Sequence, residues 1–157
     1  KLAPEEAAAA FMLGESIQTS AGDPSKAGES IRVVGTNPFI VGPKGKEGNR
    51  FRDLIDELEL DCFVLNTGYL GDRSKDIGVE ESVTLLREIA RETVEWTDSE
   101  EIGLTIPRSV PGLDIGAFAV PDHVDDYEAK LRELRADRRE YLAEFEELDG
   151  AIEDAVY

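Results

Sequence analysis

The tetrapeptide Asn66-Thr67-Gly68-Tyr69 is the part of this sequence best suited to hold a ligand. A carboxamide and a hydroxyl stand beside a glycine that can turn the chain, directly after the apolar run Cys62-Phe63-Val64-Leu65. That run reads as a buried strand over Cys62–Leu65, and the carboxyl ends of strands are where α/β proteins place their ligands. The other reactive residues offer less. Gly42-Pro43-Lys44-Gly45-Lys46 fails the spacing of a phosphate-cradling loop. Its proline also lacks the amide donor such a cradle needs, so it reads as an exposed basic turn. His123 has no neighbouring His or Cys to complete a metal site and reads as a surface residue. Cys62, alone in the sequence, makes an internal disulfide impossible and serves as a small hydrophobe in its strand. Glu80-Glu81 and Asp125-Asp126 are acid pairs at helix starts, where negative charge complements the helix dipole. No nucleophile lies within sequence reach of His123 to suggest a Ser-His-Asp arrangement.

These residues need elements to position them. Pro4-Glu5-Glu6 followed by Ala7–Leu13 predicts a helix with proline and acids in its first turn and Gly14 as its stop. Residues 15–48 hold six glycines and three prolines, which predicts loops around one short strand at Ile31–Val34. Phe51, Leu54, Ile55 and Leu58 repeat at i, i+3, i+4 and i+7, the stripe of a helix leading into Cys62–Leu65. Val79, Val83, Leu86, Ile89 and Ala90 have the same spacing. They predict a crossover helix that returns the chain to a strand at Ile102–Ile106, followed by the loop Pro107–Gly112. Asp122–Leu148 reads as one long amphipathic helix with Asp122 as N-cap. Nothing in composition divides the chain in two.

The 157 residues carry 35 acidic and 17 basic side chains, a formal charge of −18. The charge is dispersed through the chain, and 41% apolar content is enough to fold. Such a surface repels nucleic acid and anionic membranes. With eleven Arg to six Lys, the composition fits a protein of a high-salt cytoplasm, or else an ordinary acidic domain. No stretch approaches the length of a membrane helix and no signal-like region is present, so a cytoplasmic location is expected. The chain opens on Lys1 immediately before a helix, as expected of a piece of a longer protein.

The order of these motifs resembles one family. An Asn-Thr-Gly-aromatic turn at Asn66–Tyr69, followed by Ile106-Pro107 and Pro111-Gly112, is similar to the C-terminal part of ATP-utilising phosphoenolpyruvate carboxykinase. Phe11-Met12-Leu13-Gly14 and Thr19-Ser20-Ala21-Gly22 resemble the stretch that follows that family's nucleotide-binding core. The resemblance is closest at Cys62–Tyr69 and Leu104–Leu113, looser at Leu2–Gly22 and weak at Ile31–Gly48. It implies an α/β fold for residues 1–157, a partial mixed sheet with flanking helices, as the C-terminal part of a nucleotide-binding domain.

The resemblance also implies a lyase. The parent would decarboxylate oxaloacetate and use ATP to form phosphoenolpyruvate, ADP and CO2 in gluconeogenesis, with a divalent metal, Mg or Mn. The family's phosphate loop, metal ligands and oxaloacetate-holding arginines have no counterpart in this sequence, so the chain alone is expected to be inactive. What the family places here is part of the adenine and ribose pocket. Its adenine-flanking Arg-Ile pair falls on Asp76-Ile77 and its hydroxyl at the next helix start on Ser82. A carboxylate cannot stack a guanidinium on a purine, so either Arg73 or Lys75 takes that role or the nucleotide is held differently; otherwise Gly71–Lys75 is a plain surface turn. Lys1 stands where the family has a phosphate- and substrate-binding arginine. The competing reading is a non-catalytic α/β binding or assembly module whose partner face is the helix Asp122–Leu148.

Overall fold

The computed structural model describes residues 1–17, 25, 30–34, 39, 41–71 and 74–157. They form two compact units, one of Lys1 with Val64–Glu133 and the other of Leu2–Phe63 with Leu134–Tyr157. The α/β class holds, with strands occurring as three two-stranded antiparallel ladders.

The unit of Leu2–Phe63 with Leu134–Tyr157 is mostly helical. Helix α1 (Pro4–Leu13) has Pro4 in its first turn, and the Glu6 carboxylate accepts the Ala3 amide at 2.7 Å. Gly14 ends the helix as expected, with φ 52 and its N–H donating to the Ala10 carbonyl. A side chain at Gly14 would collide with the Val33 carbonyl, because Gly14 also accepts from the Val33 amide at 3.0 Å. Strands β1 (Glu15–Ile17) and β2 (Ser30–Arg32) pair antiparallel, so the strand expected at 31–34 forms one residue early and stops at Arg32. Helix α2 (Lys44–Glu57) crosses α1 closely, for Gly48 leaves room only for a hydrogen: a Cβ there would stand 2.9 Å from the Met12 Sδ. Phe11 stacks on Phe51 with centroids 4.4 Å apart. Around them, Ala8, Ala9, Met12, Leu13, Leu142 and Ile152 make the buried core.

The basic turn expected at 42–46 is corrected here. Pro43 caps α2, Lys44–Lys46 form its first turn, and Gly45 is buried against the backbone of 146–148. The proline that disqualifies a phosphate cradle stands just before the first helical residue, where its missing N–H removes no helix hydrogen bond.

The other unit is built on hairpins. Strands β3 (Tyr69–Leu70) and β4 (Lys75–Asp76) form a tight antiparallel pair, followed by α3 (Val79–Ala90). Strands β5 (Glu95–Ser99) and β6 (Leu104–Ser109) form a longer hairpin with Thr97 opposite Ile106. The expected strand-helix-strand crossover is therefore not made. The strand after α3 is β5, which has a single aromatic among polar residues and so shows no apolar alternation. It turns at Gly103 (φ 69) into β6, and Pro107, Arg108 and Ser109, expected in a loop, continue that strand.

Two further expectations fail. Cys62–Leu65 is not a strand: its one ladder contact among the described residues is the isolated Leu2–Cys62 bridge, and Val64 is exposed. An apolar run becomes a strand only where a neighbour accepts its backbone hydrogen bonds. The Cys62 thiol is nonetheless pushed up by partial burial and by the Asp61 carboxylate. The long helix also breaks. Residues 120–122 form a short 3-10 turn, Asp126 takes a left-handed φ of 53, and α4 runs only over Tyr127–Leu142, before α5 (Gly150–Asp154). Asp122 caps nothing there, and Val124 and Phe145 lie outside the helix their spacing suggested.

Candidate functional site

Asn66 shapes the turn it opens. Its Oδ1 accepts the Gly68 amide at 3.0 Å and its Nδ2 donates to the Tyr69 carbonyl at 2.9 Å, the local bonding by which Asn competes with regular structure. The carboxamide is spent on the backbone. The Gly68 carbonyl then accepts the Ile77 amide at 2.8 Å, one rung beyond the Tyr69–Asp76 pair, so the hairpin closes at Gly68 and Ile77.

Gly71, at φ 54, lets the hairpin lie against the 123 segment, since a Cβ there would strike the His123 carbonyl oxygen. Ser74 Oγ lies 3.1 Å from the Leu70 carbonyl and 3.2 Å from that of His123. His123 itself is half-buried with Nε2 3.1 Å from the Ala117 carbonyl. Its backbone thus supports the hairpin, a role nothing in the sequence signals. Lys75 sets its Nζ over the Phe118 ring, 4.7 Å from the centroid, a cation–π contact that fixes its charge at one side of the hairpin.

Asp76 is exposed on β4, while Ile77 is half-buried immediately before Gly78, the N-cap of α3. One turn on, Ser82 Oγ donates to the Gly78 carbonyl at 2.9 Å. Lys75, Asp76, Ile77 and Ser82 therefore gather where β4 enters α3. Arg73 lies outside the described residues. Lys1 is placed elsewhere, its α-ammonium donating to the Thr105 carbonyl on β6 at 2.8 Å.

Glu80 and Glu81 occupy the first turn of α3, so this helix start disfavours a phosphate and leaves room for a neutral or donor-rich group. Among the described residues, no three His, Cys, Asp or Glu converge to hold a metal, and no helix is long and apolar enough to cross a membrane. In the helical unit an open groove of about 600 Å³ is lined in part by Glu15, Arg32, Leu134 and Asp137. Its charges are satisfied by one another, Arg32 lying 3.1 Å from Glu15 and also pairing Asp137. It contains none of the residues gathered at α3.

A family model for phosphoenolpyruvate carboxykinase matches residues 1–115. The chain is 35% identical over 142 residues to a phosphoenolpyruvate carboxykinase (ATP) of Aeropyrum pernix, covering 88% of this chain and 28% of that protein. It is 29% identical over 128 residues to one of Azorhizobium caulinodans, covering 75% and 24%. A third, of Allorhizobium ampelinum, is 25% identical over 168 residues, covering 99% and 31%. The chain thus spans between about a quarter and a third of the length of these relatives.

Proposed function

The chain belongs to the phosphoenolpyruvate carboxykinase family, and from that premise we propose that it is the C-terminal part of an ATP-dependent carboxykinase and carries one wall of the adenine and ribose pocket. The parent reaction decarboxylates oxaloacetate and passes the γ-phosphoryl group of ATP to the resulting enolate, giving phosphoenolpyruvate, ADP and CO2, a step of gluconeogenesis in the cytoplasm. We assign the divalent metal of that reaction, Mg or Mn, to residues in the rest of the parent.

The observation that carries the reading is the convergence of Ile77 and Ser82 on Gly78. The Gly68–Ile77 hydrogen bond fixes Ile77 as an apolar surface ahead of the helix, suited to one face of a purine. Ser82 has given its proton to the Gly78 carbonyl, so its oxygen is left to accept from a ribose hydroxyl. Asp76 stands where the family has an arginine. Its exposed carboxylate accepts from an adenine amino group or a ribose hydroxyl, and Lys75, held on Phe118, sets the cationic edge. The acidic first turn of α3 keeps the triphosphate directed away. Arg73 and Lys1 are the further cations of this proposal.

Photolabelling tests it. In a carboxykinase containing this chain, 8-azido-ATP should attach within the peptide 71–82, and excess ATP should suppress the labelling. Attachment only in other segments would overturn the assignment. The 157-residue chain alone, given oxaloacetate, ATP and manganese, should turn over no faster than a protein-free control.

A further inference from the structure

Helix α3 is built inside out. Val79, Val83, Leu86 and Ala90 follow one another at four, three and four residues, which places them on a single stripe three turns long. That stripe faces solvent: Val79 is 80%, Val83 53% and Leu86 50% exposed, and Ala90 is exposed too. The opposite side carries Thr84 and Glu88, both buried. Glu88 accepts from Arg87 Nε and Thr93 Oγ1, each at 2.7 Å, and from Arg91 Nη1 at 3.2 Å, so its charge is matched by the helix itself and the residues directly after it. A carboxylate matched in this way can occupy the buried side while the aliphatic stripe stays outward.

A contiguous outward aliphatic stripe marks an interaction surface. The relatives supply the occupant, since each carries roughly 70% of its length outside the matched segment, which covers 24–31% of them. We propose that the Val79–Val83–Leu86–Ala90 stripe is the docking face for that remaining carboxykinase polypeptide. The inference rests on the family reading above and adds the surface through which this piece joins the rest. Glu80 flanks the stripe near its start, whereas Arg87 and Arg91 are turned to Glu88. The occupant is accordingly aliphatic, with a basic group near Val79.

The test uses the 157-residue chain and a chimaera in which it replaces the matched segment of the Aeropyrum pernix enzyme, each as Cys62→Ser with Val83→Cys. Maleimide labelling rates are divided by those of the same protein unfolded in urea. The chain alone should label at nearly the unfolded rate and the chimaera at least about tenfold more slowly, as a site opened only by local unfolding does. Equal relative rates in the two proteins overturn the proposal. So does protection already present in the chain alone with a sedimentation mass of two copies, which would make a second copy the occupant. A second measurement does not require a well-folded chimaera: Val83→Gln with Leu86→Gln, which adds no charge, should in the chain alone leave the melting temperature unchanged and reduce binding of anilinonaphthalene sulfonate severalfold. A marked fall in melting temperature would mean the stripe is already covered and would overturn the proposal. Activity separates the two readings, for an inactive chimaera with a protected thiol counts against the enzyme reading alone, and an active one with an unprotected thiol against the docking face alone.

Discussion

Arg138 grips Glu15 with both sides of its guanidinium: Nη2 donates to Oε2 at 2.6 Å and Nε to Oε1 at 3.1 Å. The pair joins α4 to β1, elements more than a hundred residues apart in sequence. Arg138 is buried, lies over the Tyr157 ring at 4.5 Å and donates to the Tyr157 carbonyl. Bidentate geometry of this kind is specific to arginine.

Replacing Arg138 by Met should therefore destabilise the helical unit. Breaking a fully buried pair costs about 3–5 kcal/mol, and because Glu15 is 32% exposed and keeps Arg32, we expect roughly 1–3 kcal/mol. The pH dependence follows from the same contact. Burial pushes the Glu15 carboxyl up, but Arg138 and then Arg32 outweigh it and hold the group below its ordinary 4.5. A lowered native value means that the contribution is complete above about pH 4.5 and is lost as pH falls through the native value. Urea unfolding between pH 7 and pH 3 should show this acid loss, and Arg138→Met should flatten it. An unaltered slope would show that Glu15 does not titrate against Arg138.

Gly71 tests the hairpin that the proposed nucleotide wall depends on. A side chain there meets the His123 carbonyl and is held at φ 54, a conformation costing an L-residue about 1–2 kcal/mol before any clash. Gly71→Ala should lose more than that in urea unfolding. Gly116→Ala, with its nearest neighbour Asp114 Oδ1 at an ordinary 3.5 Å, should stay within about 0.5 kcal/mol.

What the sequence revealed and what it hid divide along physical lines. Helix α1 was legible because proline, acids and a terminal glycine are local signals, and they act whatever surrounds them. The body of α3 was legible from its period, but which side it buries was not: periodicity predicts the apolar side inward, whereas Thr84 and Glu88 are the buried residues, with Glu88 matched by Arg87, Arg91 and Thr93. Strand β5 was hidden because its stability comes from cross-strand pairs such as Thr105 Oγ1 to Asp98 Oδ1 at 2.7 Å, which no single segment displays. At the candidate site, the order of the Asn-Thr-Gly turn and the following helix could be read. The support from His123, Ser74 and Phe118 could not, because those contacts join residues up to 49 positions apart.

The charge of −18 sets the response to salt. Self-repulsion should destabilise the chain at low ionic strength, and screening should relieve it as the Debye length falls from about 10 Å at 0.1 M to about 3 Å at 1 M. Melting temperature should rise with KCl across that range. A flat or falling curve would remove the argument for a high-salt origin.

Ile77 gives the sharpest test of the nucleotide wall. Its amide is fixed by the Gly68 carbonyl at 2.8 Å, so the side chain can be changed without altering the hairpin's backbone bonding. In a carboxykinase containing this chain, Ile77→Asp would set a carboxylate against the purine face and add its desolvation to the cost of binding. ATP affinity should fall by about 1–3 kcal/mol, the cost of burying an unpaired polar group. Ile77→Val should lose far less, since it keeps an apolar surface in the same place. Oxaloacetate affinity should hardly move, because the proposed wall meets only the base and ribose. Equal losses for both ligands would point to a general collapse of the site. An unchanged Michaelis constant for ATP, with the variant folded as judged by its melting temperature, would show that Asp76, Ile77 and Ser82 form a surface connection and that adenine is held by other residues.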